Sequence, residues 1–343
     1  MEASRVAIIS TGGTIASVRS ADVDGVRAAL SIDELLHRAG RSAAEEIGPV
    51  VDLARVNSWN VDPALMWSVA ATVDRLAARQ DVSGIVVTHG TDTLEETAFL
   101  VDVLTDTEKP VVFTGAMRSA DDLSADGPHN LGAAIKVAES SALRGLGTLV
   151  CLDDQIHAAR WVRKLHSHSI AAFAGGARPV GTVDPDGKVR RMHGALSRWK
   201  VPGGCEAGQP RPDDVPILQA YTGMSADVAQ AIVDAASPRG IVIDGFGLGH
   251  VPASLHDPIH DLVSKGVVVV VSTRVPVGGT WPVYGGPGGG TDLADVGVIG
   301  AGQLSAPKSR LLLLACLTAR DASTAQTLFQ DAVVVVGQGA EGQ

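Results

Sequence analysis

A chain of 343 residues, 45% of them apolar, is long enough for two domains with sizeable cores. A formal net charge of −10 argues against a nucleic-acid partner. No apolar run reaches the roughly eighteen residues of a membrane span, so no membrane association is expected.

The N-terminus, Met1-Glu2-Ala3-Ser4-Arg5, has neither a basic n-region nor a cleavage site, and no signal peptide is expected. Cys151, Cys205 and Cys316 are widely spaced and odd in number, and two of them sit in apolar runs. A reduced, cytoplasmic protein is the expectation. Strands are predicted over 5–10, 84–88, 110–114 and 147–152, rich in Val and Ile without polar alternation. Strands buried on both faces of a parallel sheet read that way. Residues 16–30 carry small and charged side chains and Gly25, the pattern of a surface loop placed to act as a lid. Ser31-Ile32-Asp33-Glu34 is a capping-box pattern opening a helix that Gly40 can stop. Asp62-Pro63 opens a helix running to about Arg79. Asp92 to Glu95 is a second capping-box pattern, leading a helix to about Thr105, and Leu131 to Ser141 reads as another. From about Met192 to Asp214 the chain is rich in Gly, Pro and charge, as an interdomain linker would be. The pattern then restarts, with strands near 215–220, 240–244 and 267–272 and helices near 225–236, 254–265 and 320–330. Val333 to Val336 is read as a last strand.

Alternating strand and helix signals predict an α/β fold. A larger N-terminal domain over 1–191 is expected to hold a mostly parallel sheet flanked by helices. After a linker over 192–214, a smaller α/β domain with a parallel sheet should span 215–343.

Two turns concentrate the chemistry. Thr11-Gly12-Gly13-Thr14-Ile15-Ala16 follows the first strand, and His89-Gly90-Thr91-Asp92-Thr93-Leu94-Glu95-Glu96 follows the second. Parallel α/β sheets place their sites at such strand ends. Two threonine hydroxyls and a carboxylate brought to one crevice suit nucleophilic attack on a carbonyl better than phosphate binding. Gly12 and Gly13 clear side chains from around Thr14, and free amides in such a turn can hold an oxyanion. Taken one at a time, each feature has a plainer explanation. The first turn can be a tight connection whose threonines satisfy backbone groups. Asp92 can be the helix N-cap, and Lys164, in Arg160-Trp161-Val162-Arg163-Lys164-Leu165-His166-Ser167, can be a surface cation. Lys164 gains a role if its amine reaches Thr91 and Asp92, where desolvation would let it act as a base. Gly245-Phe246-Gly247-Leu248-Gly249 lacks the last glycine of a dinucleotide fingerprint and its acidic partner. Neither His166/His168 nor His256/His260 is completed to a zinc set, so no metal is expected.

Together these segments resemble the bacterial L-asparaginase family over nearly the whole chain. Besides the two turns, the likeness rests on Thr114-Gly115-Ala116-Met117-Arg118 with Ser124-Ala125-Asp126-Gly127-Pro128 and Asn130-Leu131. It continues through Arg160 to Lys164 and through Ser272-Thr273-Arg274-Val275-Pro276 with Gly278. The resemblance implies hydrolysis of the side-chain amide of L-asparagine to L-aspartate and ammonia, with no metal or organic cofactor. It implies Thr14 as nucleophile, and Thr91, Asp92 and Lys164 as a second threonine group. Ser58, in Asn57-Ser58-Trp59-Asn60, matches the serine that binds the substrate α-carboxylate, and Asp92 would hold the α-ammonium. Gly13, Trp59 and Thr91 complete the implied substrate-binding positions. A homotetramer, a dimer of dimers with sites completed by a neighbour's small domain, is also implied.

Three departures from the family pattern stand out. Residues 15–30 contain no tyrosine, although members commonly supply one from the lid to activate the first threonine. Of the two tyrosines, Tyr284, in a glycine-rich loop, is the better substitute and Tyr221 the weaker. Trp59 and Asn60 stand where many members have Gln and Asp, and His250 where many have Asn. A glutaminase-asparaginase is the near alternative. An amidotransferase amidase subunit would need an N-terminal extension for which a strand starting at residue 5 leaves no room. A non-catalytic amino-acid sensor on the same fold is disfavoured because Thr14, Thr91, Asp92 and Lys164 are all present.

Overall fold

The structure is a computed structural model that describes residues 5–19, 24–40, 47–175, 179–194 and 196–336. The chain folds as two compact units, with the break between Arg198 and Trp199, inside the segment read as a linker.

The first unit runs in chain order through β1 (Arg5–Gly12), β2 (Ser17–Arg19), β3 (Val26–Ala28), α1 (Ile32–Arg38), β4 (Ile47–Val56), α2 (Pro63–Ala77) and β5 (Val82–Thr88). It continues through α3 (Leu94–Leu104), β6 (Val111–Thr114), α4 (Gly127–Glu139), β7 (Thr148–Leu152) and β8 (Gln155–Ala158). Short strands β9 (Val162–Lys164), β10 (Phe173–Gly175), β11 (Gly181–Val183) and β12 (Val189–Arg191) complete it. Among the described residues its main sheet has eight strands in the order β12-β11-β8-β7-β6-β5-β1-β4. From β4 to β7 every pairing is parallel, and from β7 to β12 every pairing is antiparallel. Ile85, Val86 and Val87 are all fully buried, so both faces of β5 need cover. α4 with α1 covers the face that carries Ile8, Val86, Val112 and Leu149. α2 and α3 pack on each other and on the other face. Gly84 is where α4 comes closest, since a Cβ there would lie 2.1 Å from the Ala138 carbonyl oxygen.

Two helix starts follow their caps. At α1 the Ser31 hydroxyl accepts from the Glu34 amide while the Glu34 carboxylate accepts from the Ser31 amide, the reciprocal box the sequence suggests. Asp62 caps α2 by accepting from the Leu65 amide at 2.8 Å. α4 begins at Gly127, four residues before the expected Leu131, because Pro128 sits comfortably in a first helical turn. The expected loop over 16–30 contains a hairpin in which β2 pairs antiparallel with β3. Residues 20–23, in the middle of that expected lid, and residues 1–4 lie outside the described residues.

The second unit holds β13 (Ile217–Gln219), α5 (Ala226–Ala236), β14 (Gly240–Gly245), α6 (His256–Ser264), β15 (Val268–Thr273), α7 (Gly290–Asp295), β16 (Ile299–Gly300), α8 (Ala306–Ala319) and α9 (Ala322–Val336). Its sheet, β13-β14-β15-β16, is parallel throughout. The expected α/β class, with a larger mostly parallel sheet and a smaller parallel one, is therefore the observed one. α8 carries no amphipathic period, and Leu311, Leu312, Leu313, Leu314 and Cys316 are all buried, as in a helix enclosed on all sides. Val333 to Val336 is the last turn of α9 and not a strand. These residues continue a helix already under way, and that context overrides their β propensity. Among the described residues, no helix is long and apolar enough to cross a membrane.

Candidate active site

β1 and β5 are neighbours in the sheet, with Ser10 opposite Thr88, so the turns that follow them emerge side by side. The two turns touch through glycine. A Cβ on Gly13 would lie 2.3 Å from both the amide nitrogen and Cα of Gly90, and one on Gly90 would lie 2.7 Å from the Ser58 hydroxyl. No side chain fits at either position. Gly12 and Gly13 also take φ of 97° and 82°, a left-handed conformation that disfavours side chains. The Gly13 amide is fixed on the Val56 carbonyl at 3.0 Å, and the Ser17 hydroxyl donates to the Gly13 carbonyl at 2.9 Å. Thr14 then opens a short helical turn over Thr14–Ala16, half-buried. Its hydroxyl has no hydrogen-bond partner among the described residues.

The second turn is organised by side chains. Asp92 is not the N-cap of α3. Thr93 occupies that position without a side-chain cap bond, and the expected Asp92–Glu95 box does not form. Both acids are engaged by one strand instead. The Lys164 ammonium donates to the Asp92 carboxylate at 2.7 Å and to the Thr91 hydroxyl at 2.8 Å, while the Glu95 carboxylate accepts from the Lys164 backbone amide. β9, which carries Lys164, is thus tied to α3 at two points. The Lys164 side chain is 15% exposed and that of Asp92 is 49% exposed, so the pair lies at a mouth rather than in the core. Ser58 sits in the short turn Ser58–Asn60 after β4, and its hydroxyl accepts from the Asp92 amide at 3.1 Å. The Ser58 carbonyl in turn accepts from the Thr93 hydroxyl at 2.8 Å.

Gly13, Thr14, Ser58, Thr91, Asp92 and Lys164 all belong to the first unit and line these two turns. Trp59 follows Ser58 and is 67% exposed. Tyr284 belongs to the second unit, on the loop between β15 and α7, and is exposed. Its ring meets His250 edge-on at 5.2 Å between centroids. Tyr221 is also exposed, just after β13.

Sequence reading passed over His89, Thr93, Thr97 and Glu95 as functional positions. His89 is fully buried beneath the second turn, and desolvation takes its pKa down to about 4, so the ring is neutral. The signal was a histidine at the end of an apolar strand, directly before the threonine turn. Among the described residues, no cluster of three or more His, Cys, Asp or Glu side chains is placed to hold a metal. His256 bonds to Asp257 and Asp292, and His166 meets His168 edge-on.

Residues 5–194 match the family described as asparaginase, N-terminal, and residues 214–329 match the glutaminase/asparaginase C-terminal domain. The chain is 36% identical to a probable L-asparaginase of Deinococcus radiodurans, covering 91% of this chain and 92% of that protein. It is 33% identical to a glutaminase-asparaginase of Pseudomonas aeruginosa, over 80% of this chain and 77% of the relative. A crystal structure of a probable cytoplasmic L-asparaginase from Campylobacter jejuni superposes with a TM-score of 0.82 at 31% identity, covering 95% of this chain and 99% of that one.

Proposed function

The chain belongs to the asparaginase family, and from that premise we propose that it hydrolyses the side-chain amide of L-asparagine to L-aspartate and ammonia. The observation that carries this reading is the junction of the two threonine turns, where Lys164 bonds to both Thr91 and Asp92.

In the reaction the Thr14 hydroxyl attacks the amide carbon, and the proton it loses reaches the leaving nitrogen. The carbon–nitrogen bond breaks, ammonia departs, and an ester of Thr14 remains. Water then attacks that ester, releasing aspartate and restoring the hydroxyl. The Lys164–Thr91–Asp92 group supplies the path for these protons, since Lys164 holds the Thr91 hydroxyl at hydrogen-bond distance. The Ser58 hydroxyl and Asp92 carboxylate take the α-carboxylate and α-ammonium of the substrate, with Gly13 and Trp59 beside them. Tyr284 stands in for the lid tyrosine when substrate is bound, helping to polarise Thr14. No cofactor is required, the working assembly is a dimer of dimers, and the cytoplasm is the site of action. The catalytic domain, linker and small domain follow the divisions 1–191, 192–214 and 215–343.

Purified protein should release ammonia from L-asparagine, with aspartate formed in equal amount. Glutamine assayed beside it decides the alternative that the Pseudomonas relative favours, a dual glutaminase-asparaginase. Release from neither substrate, by protein that still binds aspartate, would favour the sensor reading.

A further inference from the structure

The buried imidazole of His89 lies between the second turn and helix α3, and its two nitrogens face different partners. Nδ1 is 2.8 Å from the Gly90 carbonyl oxygen, and Nε2 is 3.0 Å from the Thr97 hydroxyl. A carbonyl only accepts, so Nδ1 carries the proton, and the neutral ring then accepts at Nε2 from Thr97. The tautomer is therefore fixed by the chain's own groups. Thr97 lies one helical turn after Thr93, whose hydroxyl reaches the Ser58 carbonyl. His89 is thus packed against the same first turn of α3 whose Thr93 meets Ser58, with the single Thr97 hydroxyl proton committed to Nε2.

The Gly90–Thr91 peptide is trans, like every peptide in the described chain, so its carbonyl and amide point in opposite directions. With the Gly90 carbonyl drawn inward onto His89, the Thr91 amide points away from the buried ring. Among the described residues that amide has no hydrogen-bond partner. Gly90 has no side chain to resist rotation of this peptide, and the position admits none. Some other group must hold the plane. We propose that His89 is a positioning residue for amide hydrolysis, which fixes the Gly90–Thr91 peptide so that the Thr91 amide and hydroxyl are presented together to the reacting carbonyl.

This inference rests on the amidase reading above, and wild-type turnover of asparagine is its control. If the wild type releases no ammonia, that reading fails, and His89 is then not at issue. Two conservative replacements separate the contacts of the ring. The Asn side-chain amide superposes on Nδ1 and can donate to the Gly90 carbonyl, whereas that of Gln superposes on Nε2 and reaches only Thr97. His89→Leu should lower kcat about 100-fold, the scale of losing one preorganised donor, with KM changed less than about threefold. His89→Asn should recover most of that loss and His89→Gln little of it. Aspartate affinity and urea midpoint, measured on all three, should not follow the kcat order. Equal kcat for Asn and Gln, or losses that track the urea midpoint, would overturn the proposal. If His89→Leu does not fold, the Asn and Gln pair decides it alone.

Discussion

The two threonine turns sit on adjacent strands, yet they are built in different ways. The first is shaped chiefly by backbone, with two left-handed glycines and an amide on the Val56 carbonyl, and only the Thr11 and Ser17 hydroxyls added to it. The second is shaped by side chains, with His89, Thr93, Thr97, Ser58, Glu95 and Lys164 each holding one part of it. A backbone-built turn brings a nucleophile close to another chain segment. A side-chain-built turn can carry protons and charge. The difference predicts that the first turn breaks when atoms are added and the second when partners are removed.

The largest effect is expected at the nucleophile. Thr14→Ala should lower kcat on the order of 10⁴-fold or more while aspartate still binds, as isothermal calorimetry would report. Near-normal turnover would move the nucleophile elsewhere. Next comes the proton path. Lys164→Met should cost about 10²–10⁴ in kcat, with the fold retained because Glu95 still holds the backbone amide of β9. An unchanged kcat would return Lys164 to a surface cation.

Acid should act through two buried histidines, His89 beneath the second turn and His157 on β8. Burial lowers the pKa of His89 and of His157 to about 4. Each unfolded ring protonates near the ordinary histidine value of 6.5. Between those values the unfolded state binds more protons, so stability is full above about 6.5 and falls as pH drops towards 4. The loss per ring is on the order of 3 kcal/mol. Neither nitrogen of His157 has a hydrogen-bond partner among the described residues. His157→Leu should therefore flatten the pH dependence of the urea midpoint by about half without lowering turnover. An unflattened curve would assign the acid sensitivity to other groups.

Gly13→Ala tests the backbone-built turn directly. The added methyl meets the Gly90 backbone at 2.3 Å, and more than about 2 kcal/mol of destabilisation should appear in urea unfolding. Thr93→Val, which removes one bond from the other turn, should cost about 1 kcal/mol. A reversal of that order would undo the distinction between the turns. The smallest effect belongs to the second unit. Tyr284→Phe should lower kcat for asparagine about tenfold, the worth of one hydrogen bond. If kcat is unchanged, Tyr284 is not the substitute for the lid tyrosine.

The fold class was legible because Val- and Ile-rich runs alternate with capped helices, and Ser31 and Asp62 cap where their patterns place them. α8 was hidden because Leu311 to Leu314 carry no period, and β4 because its burial alternates irregularly. At the site, the local pattern around Asp92 pointed the wrong way. An Asp three residues before a Glu looks like a capping box. Yet Lys164, 72 residues away, takes Asp92 through a contact that no local spacing encodes. His89 was in view in the same segment, but its role depends on which carbonyl its ring meets, and only the folded turn determines that.

The order of strands in the larger sheet has a consequence for how the chain is made. β1 is synthesised first, yet it lies between β4 and β5 and pairs with both. Val6 to Ile9, wholly apolar, can pair with β4 once Val56 has been added, but their other edge waits until Thr88 has been added. At about 5–20 residues per second that delay is roughly 4–15 s, long enough for chaperones to meet the nascent segment. That open edge of β1, the strand that leads into the Thr14 turn, is thus exposed to mispairing during synthesis, and production of this protein should respond to translation speed and chaperone supply.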